Sequence, residues 1–173
     1  MRKVLKKNFF NRPTLLVAQD LLGKFLVRKR NGRVVAAMIT EVEAYDGPKD
    51  KASHGARGRN KRSEMMFGPP GYWFIYLTYG IHWMLNVVTG PKDYPAAVLI
   101  RGVEGINGPG RVTKKLGVNG GFINETVSVK TGLWIEDRGV WVDKKLIKKT
   151  PRIGIAHAGP YWAKKKYRFT ISY

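Results

Sequence analysis

The dipeptide Asn31-Gly32 constrains this chain more than any other pair of residues. A type I′ turn needs positive φ at both central positions, and Asn and Gly are the residues that tolerate it, so Asn-Gly between apolar runs is the strongest short-range hairpin signal. Residues 24–30 and 33–44 are therefore read as antiparallel strands. A second pair of segments, 72–78 and 81–88, is rich in aromatic and β-branched side chains and leaves only Tyr79-Gly80 for the bend. An aromatic ring at that bend is exposed rather than packed.

Around these hairpins the chain offers shorter signals. Pro13 suits the first position of a short helix whose apolar residues recur at Leu15, Ala18 and Leu22, with Gly23 as its stop. Residues 96–101 read as a buried strand ending in Arg101. Residues 108–117 read as a turn followed by a basic helix, whose free N-terminal N–H groups suit a phosphate. Residues 133–136 and 140–142 read as strands around a turn at 137–139, and 167–172 alternates like a closing strand. The loop from 46 to 71 has no apolar periodicity; unstructured loops of such length are uncommon and usually functional or mobile. No repeat, linker or break in composition divides the chain. The expectation is one domain over residues 1–173, α/β in class, with a mixed, mainly antiparallel, curved sheet, short flanking helices and a protruding β-hairpin.

Charge sets the partner. With 32 Lys and Arg against 12 Asp and Glu, the chain carries +20 and calls for a polyanion, either nucleic acid or an anionic membrane face. No apolar run is long enough to span a bilayer, and residues 1–7 lack the apolar core of a signal peptide, which points to the cytoplasm and to nucleic acid. The absence of Cys excludes disulfides, thiolate zinc sites and a cysteine nucleophile. His54, His82 and His157 have no local metal-ligand spacing, and neither a serine-nucleophile elbow nor a phosphate-binding glycine loop is present, so no metal or cofactor is expected.

Glu41 and Glu43 are two apart, so on a strand they share a face. Neighbouring carboxylates push one pKa up, which poises a general base near neutrality. Spacing alone favours the plainer reading, in which both acids pair with the plentiful cations. His54 reads by default as a surface residue, and Tyr45, Tyr76 and Trp83 as core aromatics. Asn86, inside an apolar run, needs hydrogen-bond partners and has groups suited to a base edge.

Taken together, Glu41-Val42-Glu43-Ala44-Tyr45-Asp46-Gly47-Pro48-x-Asp50-x-Ala52-Ser53-His54 and Met66-Phe67-Gly68-Pro69-Pro70-Gly71, then Tyr76, Tyr79-Gly80 and Asn86 in order, resemble the alkyladenine (3-methyladenine) DNA glycosylase family in its compact microbial form. Leu99-Ile100-Arg101, Gly108-Pro109-Gly110-Arg111 and Arg152-Ile153-Gly154-Ile155 extend the likeness over nearly the whole chain. Residues 164–169 depart from it, since members usually carry a proline shortly before Arg168-Phe169.

The resemblance implies a monofunctional glycosylase that removes alkylated or deaminated purines from duplex DNA by water attack at C1′, with no cofactor and as a monomer associated with a prokaryotic nucleoid. It implies Glu43 as general base, with Arg101 and the backbone around Ile155 holding the water. Tyr45 and His54 would face Tyr76 across the flipped base, Asn86 would border the pocket, and Tyr79 would fill the gap in the duplex. Arg57, Arg59, Arg111 and Lys114 are candidate contacts to the DNA backbone. Two competing readings remain: a non-catalytic basic module for RNA or DNA, and hydrolysis of a free nucleoside.

Overall fold

The Asn31-Gly32 turn forms as its chemistry demands: φ is 49° at Asn31 and 74° at Gly32, and Arg30 pairs with Arg33 across it. The computed structural model describes residues 2–171. They run β1 (Lys3–Val4), α1 (Lys7–Phe10), α2 (Thr14–Leu21), β2 (Phe25–Arg30), β3 (Arg33–Asp46), β4 (Trp73–Thr78), β5 (His82–Val88), β6 (Ala96–Val103), β7 (Ile106–Asn107), α3 (Pro109–Leu116), β8 (Leu133–Asp137), β9 (Ile147–Thr150), α4 (Gly159–Ala163) and β10 (Arg168–Ile171). Among these residues every strand pairing is antiparallel, giving an open sheet in the order β1-β8-β2-β3-β6-β5-β4. Beside that path β10 lies against β3, β9 against β10, and β7 against β6.

β3 organises the sheet because it changes partners along its length. Residues 33–38 pair with β2, whereas Ile39 onward pairs with β6, and residues 41–43 also pair with β10. Register shifts on both sides of Glu41 mark the change, and such bulges bend a strand and re-aim its side chains. With strands on both edges, this part of β3 is shielded: Glu43 is fully buried and Glu41 nearly so.

Apolar faces close the core. Val17, Ala18 and Leu21 of α2 join Leu26, Val42 and Ile100 of the sheet in one buried cluster, each Val, Leu or Ile side chain contributing about 1.5–3 kcal/mol by leaving water. α3 begins with Pro109 at its first position and ends at Gly117, whose φ is 61°. It buries Val112, Thr113 and Leu116 and leaves Arg111, Lys114 and Lys115 exposed, the amphipathic pattern of a surface helix.

Several expectations need correction. The second hairpin pairs Thr78 with His82, so its bend is the three residues Tyr79-Gly80-Ile81, with φ of 51° at Tyr79 and 69° at Gly80. The chain from 46 to 71 is ordered rather than unstructured, with short 3-10 turns at His54–Arg57 and Glu64–Phe67. Polar side chains supply its turn hydrogen bonds: Asp50 accepts from the Asp46 and Ala52 amides, and Asn60 accepts from those of Arg62 and Ser63. Residues 140–142 form no strand, because Asp137 accepts from the Gly139 amide and turns the chain away, leaving Trp141 exposed. Leu22 caps α2 rather than extending it. Of the expected closing strand, 168–171 is observed, whereas Ser172 lies outside the described residues. The short β1, β7, β9, α1 and α4 carry too few residues for a period to show.

Candidate active site

Glu43 is held on both oxygens. Oε2 accepts from the Tyr45 hydroxyl at 2.8 Å, and Oε1 accepts from the Ile153 amide at 2.8 Å with the Arg101 Nε 3.5 Å away. Burial raises its pKa above the ordinary carboxylate value, while the Arg101 charge, the Ile153 amide, the Tyr45 hydroxyl and the Arg152 charge pull in the opposite direction. The cause differs from the one expected: desolvation, not repulsion from Glu41, lifts the group. Burial and the Glu43 charge also push the Tyr45 hydroxyl well up, so it remains a proton donor to Glu43.

Glu41 is engaged separately. Its Oε1 accepts from Arg101 Nε at 3.0 Å and from Arg168 Nε at 2.6 Å. The expectation that both acids pair with cations therefore holds: Glu41 bonds two arginines, and Glu43 has Arg101 at 3.5 Å beside its hydrogen bonds from the Tyr45 hydroxyl and the Ile153 amide.

In front of Glu43 opens a cavity of about 740 Å³, whose walls include Tyr45, His54, Tyr76, Asn86, Arg101 and Ile155. These come from β3, the loop after it, β4, β5, β6 and the segment after β9, so residues more than a hundred positions apart converge. Glu43 itself does not line the cavity; it sits behind Tyr45, Arg101 and Ile153. His54 packs edge-on against Tyr76, with ring centroids 4.8 Å apart. The two therefore form one wall instead of facing each other across a gap. Desolvation and the Arg62, Arg57 and His157 charges lower the His54 pKa to about 4, so its ring is neutral at physiological pH. Burial pushes the Tyr76 phenol up to about 12. Asn86 donates to the Phe74 and Met84 carbonyls at 3.1 and 3.3 Å; with both N–H bonds taken, it offers only Oδ1 to another partner.

The residues that assemble this wall escaped the sequence. Asp50 and Arg152 form a fully buried bidentate pair at 2.5 and 2.8 Å, and Arg152 also donates to the Ala44 carbonyl at 2.8 Å. The Arg152 guanidinium lies 4.7 Å from the Tyr45 ring centroid. This pair pins the loop carrying His54 to the strand carrying Glu43; removing one partner of such a pair typically costs about 3–5 kcal/mol. Residues 144–168 hold nine Lys or Arg and no acid, so in the sequence Arg152 reads as part of a basic surface. Its only sequence signal is its place before Ile153, while Asp50 stands out as an acid in a basic loop. Glu43 takes its backbone hydrogen bond from the Ile153 amide, and two residues on, the Ile155 carbonyl accepts from the Ala158 amide at 2.9 Å.

At the cavity mouth, Tyr79 is 91% exposed on its hairpin bend, with Ile81 at 70% beside it. Arg57 and Arg111 are exposed and line the mouth, and Lys114 is exposed on α3. Arg59 departs from its expected role: it is tied to Glu64 at 2.9 Å and to Asp93, and its guanidinium covers the Phe67 ring. His82 and His157 line the same cavity as His54, a convergence that their sequence spacing conceals.

The profile of the methylpurine-DNA glycosylase family matches residues 8–107 and 104–173. A protein of Anaeromyxobacter dehalogenans is 40% identical over 96% of this chain and 83% of its own length. Relatives in Ehrlichia chaffeensis and Legionella pneumophila (strain Paris) are each 39% identical, covering 97% and 99% of this chain and 93% and 95% of their own. All three are provisionally named 3-methyladenine DNA glycosylases. The chain belongs to the methylpurine-DNA glycosylase family, hydrolases of N-glycosyl bonds.

Proposed function

We propose that the protein flips a damaged purine out of duplex DNA into the 740 Å³ cavity and hydrolyses its N-glycosidic bond, the first step of base excision repair. The observation that carries this reading is a fully buried carboxylate, Glu43, immediately behind an aromatic-lined cavity whose mouth bears an exposed tyrosine. A base inside a duplex is out of reach, so it must be extruded at a cost of a few kcal/mol. Tyr79, inserted from the minor groove, offsets part of that cost by filling the gap.

Tyr45, His54 and Tyr76 line the slot that takes the base, and Asn86 at its edge helps exclude guanine through its amino group, a penalty that the labile cationic bond of 7-methylguanine offsets. Glu43 removes a proton from water as the water oxygen bonds to C1′, and the C1′–N bond electrons leave with the base. Arg101 and the backbone around Ile155 hold the water. In 3-methyladenine and 7-methylguanine the base is already cationic and leaves neutral, and its charge favours an aromatic slot by cation–π attraction. Hypoxanthine and ethenoadenine are neutral and leave with a proton from another donor. Among the described residues no helix is long and apolar enough to cross a membrane. A cytoplasmic, nucleoid-associated monomer fits the +20 charge.

The test is release of free hypoxanthine or 3-methyladenine from duplex DNA. Release from duplex but not from the free nucleoside is expected. Binding without release would make the protein a non-catalytic DNA module, and release from the nucleoside alone would make it a nucleosidase.

A further inference from the structure

Glu41 has no part in the mechanism above, yet it is almost fully buried and grips Arg101, a side chain that also approaches Glu43. Arg101 has a single Nε–H; it donates that hydrogen to Glu41 Oε1 at 3.0 Å and stands 3.5 Å from Glu43 Oε1. The same Glu41 oxygen also accepts from Arg168 Nε at 2.6 Å, and Arg168 also donates to the Thr150 hydroxyl at 3.2 Å. The backbone makes room for this arrangement. Gly102 lies opposite Glu41 in the β3–β6 ladder, and a Cβ there would stand 3.0 Å from the Glu41 Cβ and 3.3 Å from its Oε2. The register shifts on either side of Glu41 set it apart from the regular ladder at Glu43.

We propose that Glu41 is a positioning residue that holds the Arg101 guanidinium partly away from Glu43, with Arg168 as the counterweight that limits its pull. This rests on Glu43 acting as the general base. An arginine fully docked on Glu43 would make a strong, charge-assisted pair and leave a weak base. An arginine shared between two carboxylates keeps the water-binding cation in place while leaving Glu43 able to accept a proton. The groups facing Glu43 are Arg101 from β6, Arg168 from β10, Arg152 and the Ile153 amide from the segment after β9, Tyr76 from β4, and Tyr45 and Glu41 from β3 itself. Of the cations, Arg152 is locked to Asp50 and Arg168 bonds Glu41, whereas Arg101 stands within reach of both Glu41 and Glu43, so its share is the adjustable quantity.

Two variants move that share in opposite directions. In Glu41→Gln the competing charge is gone and Arg101 closes on Glu43, so the acidic limb of the pH profile for base release moves down by about one unit, the low end for a neighbouring opposite charge, and the maximal rate falls several-fold. In Arg168→Gln, Glu41 pulls Arg101 harder, and the acidic limb moves up. Melting temperatures taken on the same preparations separate these shifts from loss of fold. A merely structural Glu41 predicts lower rates or stability with an unmoved limb. That result, or shifts of the same sign in both variants, would overturn the proposal. Titration of the Glu43 side-chain carboxyl carbon by NMR in the wild type and both variants reads the same displacements without any activity. A protein that releases no base but shows the opposed shifts would contradict the proposed function and leave the positioning role standing. If one variant fails to fold, the other's displacement decides alone.

Discussion

At the scale of single residues, the role proposed for Glu43 works against stability. Its pKa is raised in the folded protein because burial penalises the charged form. The folded state therefore binds the proton more tightly than the unfolded chain does, and stability falls as pH rises from the unfolded carboxylate value through the higher folded one. Above that window the ionised group is a net cost. Glu43→Gln removes the cost while keeping the shape, an acceptor for the Ile153 amide and a partner for the Tyr45 hydroxyl. Its melting temperature at neutral pH should therefore match or exceed that of the wild type, and the difference should shrink in acid, where Glu43 is protonated in both states. A variant several degrees less stable at neutral pH would show that the Arg101 attraction outweighs desolvation. The spacing of Glu41 and Glu43 made the pair visible in the sequence. It could not tell which acid is desolvated, because that depends on β10 covering β3 from a position 125 residues later, Glu43 pairing with Arg168.

At the scale of elements, both hairpins were legible because their turn residues dictate φ locally, whereas the loop from 46 to 71 was not. Its order comes from the Asp50–Arg152 pair, a contact between residues 102 apart that no periodicity encodes. The length of the second bend was misread by one residue, since Ile81 continues the apolar pattern of β5 but lies outside its ladder. The longer bend leaves Tyr79 fully presented. Tyr79→Ala should leave the melting temperature unchanged, because a ring 91% exposed packs against little. Base release should fall, most for a damaged base in a stable pair and less for a mispaired one, since a loosened base costs less to extrude. A large drop in melting temperature with equal loss on all substrates would place this ring in the core.

At the scale of the whole molecule, the surplus of +20 pointed to a polyanion without saying which cations face it. Arg12, Lys24, Arg59, Arg101, Arg138, Arg152 and Arg168 are committed to acids within the fold. Arg57, Arg111 and Lys114 remain exposed on the side of the cavity mouth or on α3. Composition is blind to this division because pairing depends on tertiary contacts. If the mouth lies against duplex DNA, log affinity should fall with log salt by about 0.9 for each phosphate neutralised, in Glu43→Gln as in the wild type. The decisive measurement uses that variant with enzyme in excess over a duplex containing one damaged purine. Binding should retain its affinity and salt slope, while release of the free base falls by about 10² to 10⁴-fold, the usual worth of a general base. Release at a near-wild-type rate, with binding intact, would contradict the assignment of Glu43 and the chemistry built on it.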